Sequence, residues 1–100
     1  MIPRFRLTQP AIRDIEKIAD YMARQSGFDR ADNFLSKLDE KFVRISQFPN
    51  LGRQRNEILP SLRSLPIDSY LILYIPTGQD IEILRVVSGY QDLLNLFKDT

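Results

Sequence analysis

At 100 residues and 11.7 kDa, with 43% hydrophobic and 27% charged residues, the chain has the size and composition of one globular domain. It has no cysteine and no histidine, which excludes disulfides, Cys or His zinc sites, an imidazole base and any Ser-His or Cys-His nucleophile. Fourteen Lys and Arg against thirteen Asp and Glu leave a net charge of +1, which does not point to a general polyanion binder.

Ile2 to Leu7 reads as a short strand, with Ile2, Arg4 and Arg6 on one side and Phe5 and Leu7 on the other. Thr8 then suits a helix N-cap, and Pro10 is tolerated in the first turn, where its missing N–H has no helical partner. Ala11, Ile15, Ile18, Ala19 and Met22 recur at helical spacing and predict one apolar stripe. Asp20 and Arg24 are four apart and can pair on the wet side. Gly27 is suited to end this helix, and Asp29 to cap the next. A second stripe runs through Ala31, Phe34, Leu35, Leu38, Phe42 and Ile45. So short a connection predicts an antiparallel helical hairpin.

Pro49 ends the hairpin, and about a dozen residues without clear periodicity follow to Pro60, a long stretch for a passive connection. The period then changes. Leu62 to Ile67, Tyr70 to Ile75 and Ile81 to Val87 read as three strands, joined by Asp68-Ser69 and by Pro76-Thr77-Gly78-Gln79. Connections this short require antiparallel neighbours. Ser88-Gly89 breaks the last strand, and Asp92 to Phe97 is a short apolar tail or helix. The expected fold is α+β: an N-terminal strand, then an antiparallel helical hairpin packed on a small antiparallel sheet in the order β-α-α-β-β-β, within one domain spanning 1–100. The tail either covers the second sheet face or leaves it a shallow groove. No apolar run spans a bilayer, and Met1 to Arg6 lacks a secretory core, so a cytoplasmic protein is expected.

Charge position says more than its total. Between residues 41 and 75, Lys41, Arg44, Arg53, Arg55 and Arg63 face only Glu57 and Asp68, a basic zone around the middle loop. The four glycines are scattered singly, so there is no phosphate loop, and no Asp/Asn run resembles a calcium loop; neither cofactor nor metal is expected.

Three places carry candidate chemistry. In Gly52 to Glu57, Arg53 and Arg55 can bind phosphate or an acidic partner, or Glu57 can act as a base; a mobile loop with Glu57 paired to an arginine is the plainer reading. Arg63 and Arg85 form the second. Arg85 alternates with Ile81, Ile83 and Val87, and a guanidinium among apolar strand residues needs water, an acid or a ligand. A structural pair with Asp68, Glu57 or Asp92 serves equally well. The third is the tail, where Tyr90 and Phe97 either anchor a partner or simply cover the sheet.

These residues together resemble a family. Phe5-Arg6-Leu7-Thr8, Phe48-Pro49-Asn50-Leu51-Gly52-Arg53, Arg55 to Ser64, Tyr70 to Tyr74 and Ile81 to Asp92, in this order and spacing, look like the ParE branch of the RelE/ParE toxins of bacterial toxin–antitoxin (plasmid stabilisation) modules. The resemblance covers nearly the whole chain. It implies a helical hairpin on an antiparallel sheet, and a cognate antitoxin that wraps the toxin and itself binds the operator DNA. It also implies DNA gyrase as target, with a hetero-oligomer of toxin and antitoxin. The RelE branch instead cleaves mRNA on the ribosome. Here Ser88 stands where the ParE pattern commonly has His, Tyr90-Gln91 where Arg is common, and Phe97 where ribosome-dependent nucleases often place Tyr. Phe97 has no hydroxyl to share a proton, which puts gyrase inhibition ahead of RNA cleavage. On the first reading Arg53, Arg55, Arg63, Arg85 and Tyr90 form the target-binding surface and there is no catalytic residue. On the nuclease reading Glu57 is the base and Arg63 and Arg85 hold the scissile phosphate. A third reading is a non-toxic remnant that only binds its antitoxin.

Overall fold

The computed structural model describes residues 4–89 and 92–97. Strand β1 (Phe5–Leu7) leads into helices α1 (Gln9–Ser26) and α2 (Phe28–Gln47). After a turn come β2 (Arg53–Gln54), β3 (Arg63–Ile67), β4 (Tyr70–Thr77), β5 (Asp80–Ser88) and a single-turn α3 (Leu93–Leu96). The fold is α+β, as the periodicities require.

The local signals act as expected at most ends. Thr8 caps α1 by accepting from the Ala11 N–H at 3.2 Å, with Pro10 in the first turn. Gly27, at φ 93°, is the only residue between the helices, closing α1 and opening α2. That makes Asp29 a first-turn residue of α2 rather than its cap, where it still favours the positive helix end. Arg24 donates to the Asp20 backbone carbonyl instead of pairing with its carboxylate. Leu35 reaches the rim of its stripe and stays exposed, and Ile2 lies outside the described residues.

The five strands form one sheet in the order β1-β5-β4-β3-β2. β2 to β5 are antiparallel neighbours, but β1 lies parallel to β5, with Phe5 opposite Ile81 and Leu7 opposite Ile83, so the sheet is mixed. The helical hairpin between β1 and β2 supplies the long connection that lets the first strand join the sheet from the far side. β2 lies in the stretch without periodicity and is too short, at two residues, to show any.

Two apolar clusters sandwich the sheet, as strand alternation demands. Ala11, Ile18 and Met22 of α1 and Phe34, Leu38, Phe42 and Ile45 of α2 pack on Ile72, Tyr74, Ile81, Ile83 and Val86. On the other face Leu62, Leu73 and Val87 are covered by Ile58 and Leu59 of the turn and by Leu93, Leu96 and Phe97 of the tail. The tail thus covers the second face.

One irregularity sets the geometry of β5. Leu73 pairs with Arg85 but Tyr74 with Ile83, so Leu84 is an extra residue, a β-bulge. The bulge shifts the alternation by one residue: Val86 joins Ile81 and Ile83 in the helix-side cluster, while Val87 goes to the other. The expected face Ile81, Ile83, Arg85, Val87 is therefore broken at Arg85.

Candidate functional site

β1 stops opposite Ile83, which leaves the next residues of β5 without a neighbouring strand. The start of α1 fills this gap with side chains. The Thr8 N–H donates to the Ile83 carbonyl at 3.1 Å, and the Thr8 hydroxyl donates to the Leu84 carbonyl at 2.8 Å. Asp14, six residues on, accepts the Val86 N–H at 3.0 Å and both arms of the Arg85 fork, Nε at 2.6 Å and Nη2 at 2.9 Å. The Arg85 side chain is 27% exposed and that of Asp14 14%. Hydrogen bonding to Asp14 raises the Arg85 pKa above its ordinary value, outweighing partial burial. Arg85 is therefore a bridge between α1 and the bulge. Its partner is none of Asp68, Glu57 or Asp92. Asp68 is taken by Lys37 at 3.0 Å, Glu57 lies 3.8 Å from Arg55, and Asp92 caps α3 at the Leu94 N–H. A sequence signal existed: Asp14 sits three residues after Ala11 and four before Ile18, so an acid occupies the apolar stripe and needs a partner.

The basic residues of the middle loop gather at the other end of the sheet. Tyr74 is fully buried, and its hydroxyl accepts the Gly52 N–H at 2.8 Å and donates to the Pro49 carbonyl at 2.8 Å. Arg63 adds Nη1 bonds to the carbonyls of Gly52 at 2.6 Å and Asn50 at 3.3 Å. Together they fasten the turn that carries Arg53. Arg55 donates Nε to the buried Ser64 hydroxyl at 2.9 Å. The Arg53 side chain is exposed and makes no hydrogen bond or ion pair within the described residues. Arg53 and Arg55 thus lie on the Ser64 side of the β2–β3 edge and Arg63 beside Gln54 on the other side, while Arg85 lies two strands from Arg63, with β4 between. Tyr90 lies outside the described residues. Tyr74 and Gly52, which set this corner, carry no local sequence signal.

Burial pushes the Tyr74 hydroxyl above its ordinary value of 10.0; the Gly52 N–H and the Arg63 charge oppose this more weakly. The folded state then holds this proton more tightly than the unfolded chain. Its contribution is whole below pH 10 and is lost as pH rises through the higher folded value. Tyr74→Phe, which leaves the Gly52 N–H and Pro49 carbonyl unpaired, should cost about 2 kcal/mol at neutral pH. In urea unfolding that difference should shrink above pH 10. A difference that stays constant to pH 11 would remove Tyr74 as the titrating group.

No helix among the described residues is long and apolar enough to cross a membrane. The arrangement as a whole matches known proteins. Residues 5–93 match the family model of the ParE toxin of the type II toxin–antitoxin system parDE. Toxin ParE3 of Caulobacter vibrioides is 31% identical over 86 residues, 86% of each chain. Toxin ParE1 of Mycobacterium tuberculosis is 31% identical over 94 residues, 93% of this chain and 96% of that one. A solved structure of the chromosomal ParDE TA system from P. aeruginosa shares the fold, with TM-score 0.73 and 23% identity over 85% of this chain and 94% of that one. With the hairpin, the mixed sheet and nearly the whole length in register, the chain belongs to the ParE toxin family of type II toxin–antitoxin systems.

Proposed function

We propose that this ParE-family toxin acts without catalysis, by binding and inhibiting DNA gyrase, and that a cognate antitoxin neutralises it in a hetero-oligomer. Membership of the family over residues 5–93 is the observation that carries the reading. The geometry supports a binding surface more than a catalytic one. Glu57 is exposed and paired with Arg55, and it lies on the β2 side of the sheet, away from the Arg85 on β5 with which it would have to share a phosphate. Arg53, Arg55 and Arg63 form the basic edge that meets the target, Arg85 acts through its pair with Asp14, and Tyr90 is assigned to target binding with them. The antitoxin has two short sheet edges to use, β1 and β2, and operator DNA is reached through it.

The test is gyrase supercoiling and DNA cleavage with purified protein, with and without ATP, beside translation of a reporter mRNA. Lost supercoiling with accumulated cleaved DNA and intact translation is expected. Untouched gyrase with mRNA cut on ribosomes would move the protein to the nuclease reading, and silence in both assays to an antitoxin-binding remnant. Charge reversal at Arg53 together with Arg63 should abolish growth arrest while the antitoxin still binds. Unchanged arrest at equal expression would count against this surface.

A further inference from the structure

Beside β2 and β3 lies a cleft of about 280 Å³ lined by Asn50, Gln54, Asn56, Ser61, Arg63 and Pro76. Five of the six are polar, and one is a cation. Arg63 is half-buried, and no Asp or Glu among the described residues pairs with it; its Nη1 meets only the Gly52 and Asn50 carbonyls. Carbonyl oxygens satisfy hydrogen bonds but neutralise no charge, and a guanidinium has five N–H donors, so Arg63 keeps both charge and donors to offer. Asn56 spends its acceptor, Oδ1, on the Ser61 N–H at 3.0 Å, which leaves its amide nitrogen as a donor. The Ser61 hydroxyl and the Gln54 and Asn50 amides add further donors. The cleft is thus positive, rich in donors and without an anion of its own.

We propose that this cleft is a carboxylate-binding site that takes one Asp or Glu side chain of the protein target. A single guanidinium with neutral donors matches one negative charge held by two oxygens. A nucleic-acid backbone is a poorer fit: it calls for a track of cations, whereas the lining holds one. The inference deepens the target-surface reading and rests on it for the partner's identity; the binding chemistry is tested without gyrase.

Amide chemical shifts of the isolated protein are followed while acetate replaces chloride at constant ionic strength. Saturable shifts confined to residues 50–63 are expected. Arg63→Gln and Asn56→Asp should each weaken acetate binding roughly tenfold or more. Asn56→Asp keeps the oxygen that caps Ser61 while placing a carboxylate in the cleft, so the fold is retained. In the gyrase assay it should weaken inhibition by a similar factor. Equal responses to acetate and chloride would overturn the site, whatever gyrase does. A DNA duplex saturating the same amides more tightly than acetate would overturn it in favour of phosphate. Acetate binding lost in Asn56→Asp with gyrase inhibition unchanged would overturn the assignment to the target. If the wild type binds acetate but leaves gyrase untouched, the functional reading fails while the carboxylate site stands.

Discussion

Asp14→Ala should destabilise the protein by about 3 kcal/mol, near the lower end of what breaking a buried ion pair costs, because the Arg85 side chain keeps 27% of its exposure. For a chain of 100 residues this corresponds to a fall in Tm on the order of 15 °C. The size follows from how many groups one carboxylate serves. Its two oxygens hold both arms of the Arg85 fork and the Val86 N–H, at the place where β5 has lost its neighbouring strand. Removing it leaves a guanidinium and a backbone N–H without partners at once. Asp14→Asn, which can still accept from Val86, should lose clearly less. Arg85→Met should cost less than Asp14→Ala, since Asp14 keeps the Val86 bond and a methionine covers similar surface. A double-mutant cycle between the two positions should return a coupling of about 1–3 kcal/mol, little changed by salt. A loss below 1 kcal/mol for Asp14→Ala would mean that Thr8 alone anchors α1 to the bulge.

The same pair shows what a sequence can and cannot reveal. Both helices and β3 to β5 are legible because each writes its period over consecutive residues. The parallel pairing of β1 with β5 is not, since Phe5 meets Ile81 across most of the chain and no local window contains both. The bulge at Leu84 is invisible for a related reason: it is a mismatch between two strands, fixed by the pairing of β5 with β4 rather than by β5 alone. Arg85 announces itself by its apolar neighbours, yet its partner is none of Asp68, Glu57 and Asp92, all nearer to it in sequence than Asp14. Asp14 was the other half of the same anomaly, an acid on a buried helical stripe, and matching two anomalies identifies a pair that neither identifies alone. At the other end of the sheet, Arg53, Arg55 and Arg63 were legible as a basic zone. Their arrangement was not, because it depends on Tyr74 reaching a glycine 22 positions away.

That glycine is where a single methyl group should do the most harm for its size. A Cβ on Gly52 would lie 2.7 Å from the Tyr74 hydroxyl, 2.8 Å from its ring and 2.9 Å from the Ser64 backbone carbonyl. None of these can yield cheaply. The Tyr74 ring is fully buried between sheet and helices, and Ser64 is paired with Arg53 on one side and Leu73 on the other. The turn must therefore lift, which breaks the Gly52 N–H bond to Tyr74 and the Arg63 bond to the Gly52 carbonyl together. Gly52→Ala should cost about 3 kcal/mol, the upper end for overpacking, and amide shifts should change most at residues 50–54, at Ser64 and at Tyr74. Gly27→Ala is the contrasting control. Nothing lies within 4 Å of its Cβ, but φ is 93°, so its cost of about 1–2 kcal/mol is backbone strain and should leave the Arg63 corner untouched. Because Gly52 positions the arginine that the cleft depends on, Gly52→Ala should also weaken acetate binding under conditions where it remains folded. Full stability and full acetate binding in Gly52→Ala would show that the turn moves freely from the sheet, and that Tyr74 does not hold the basic surface in place.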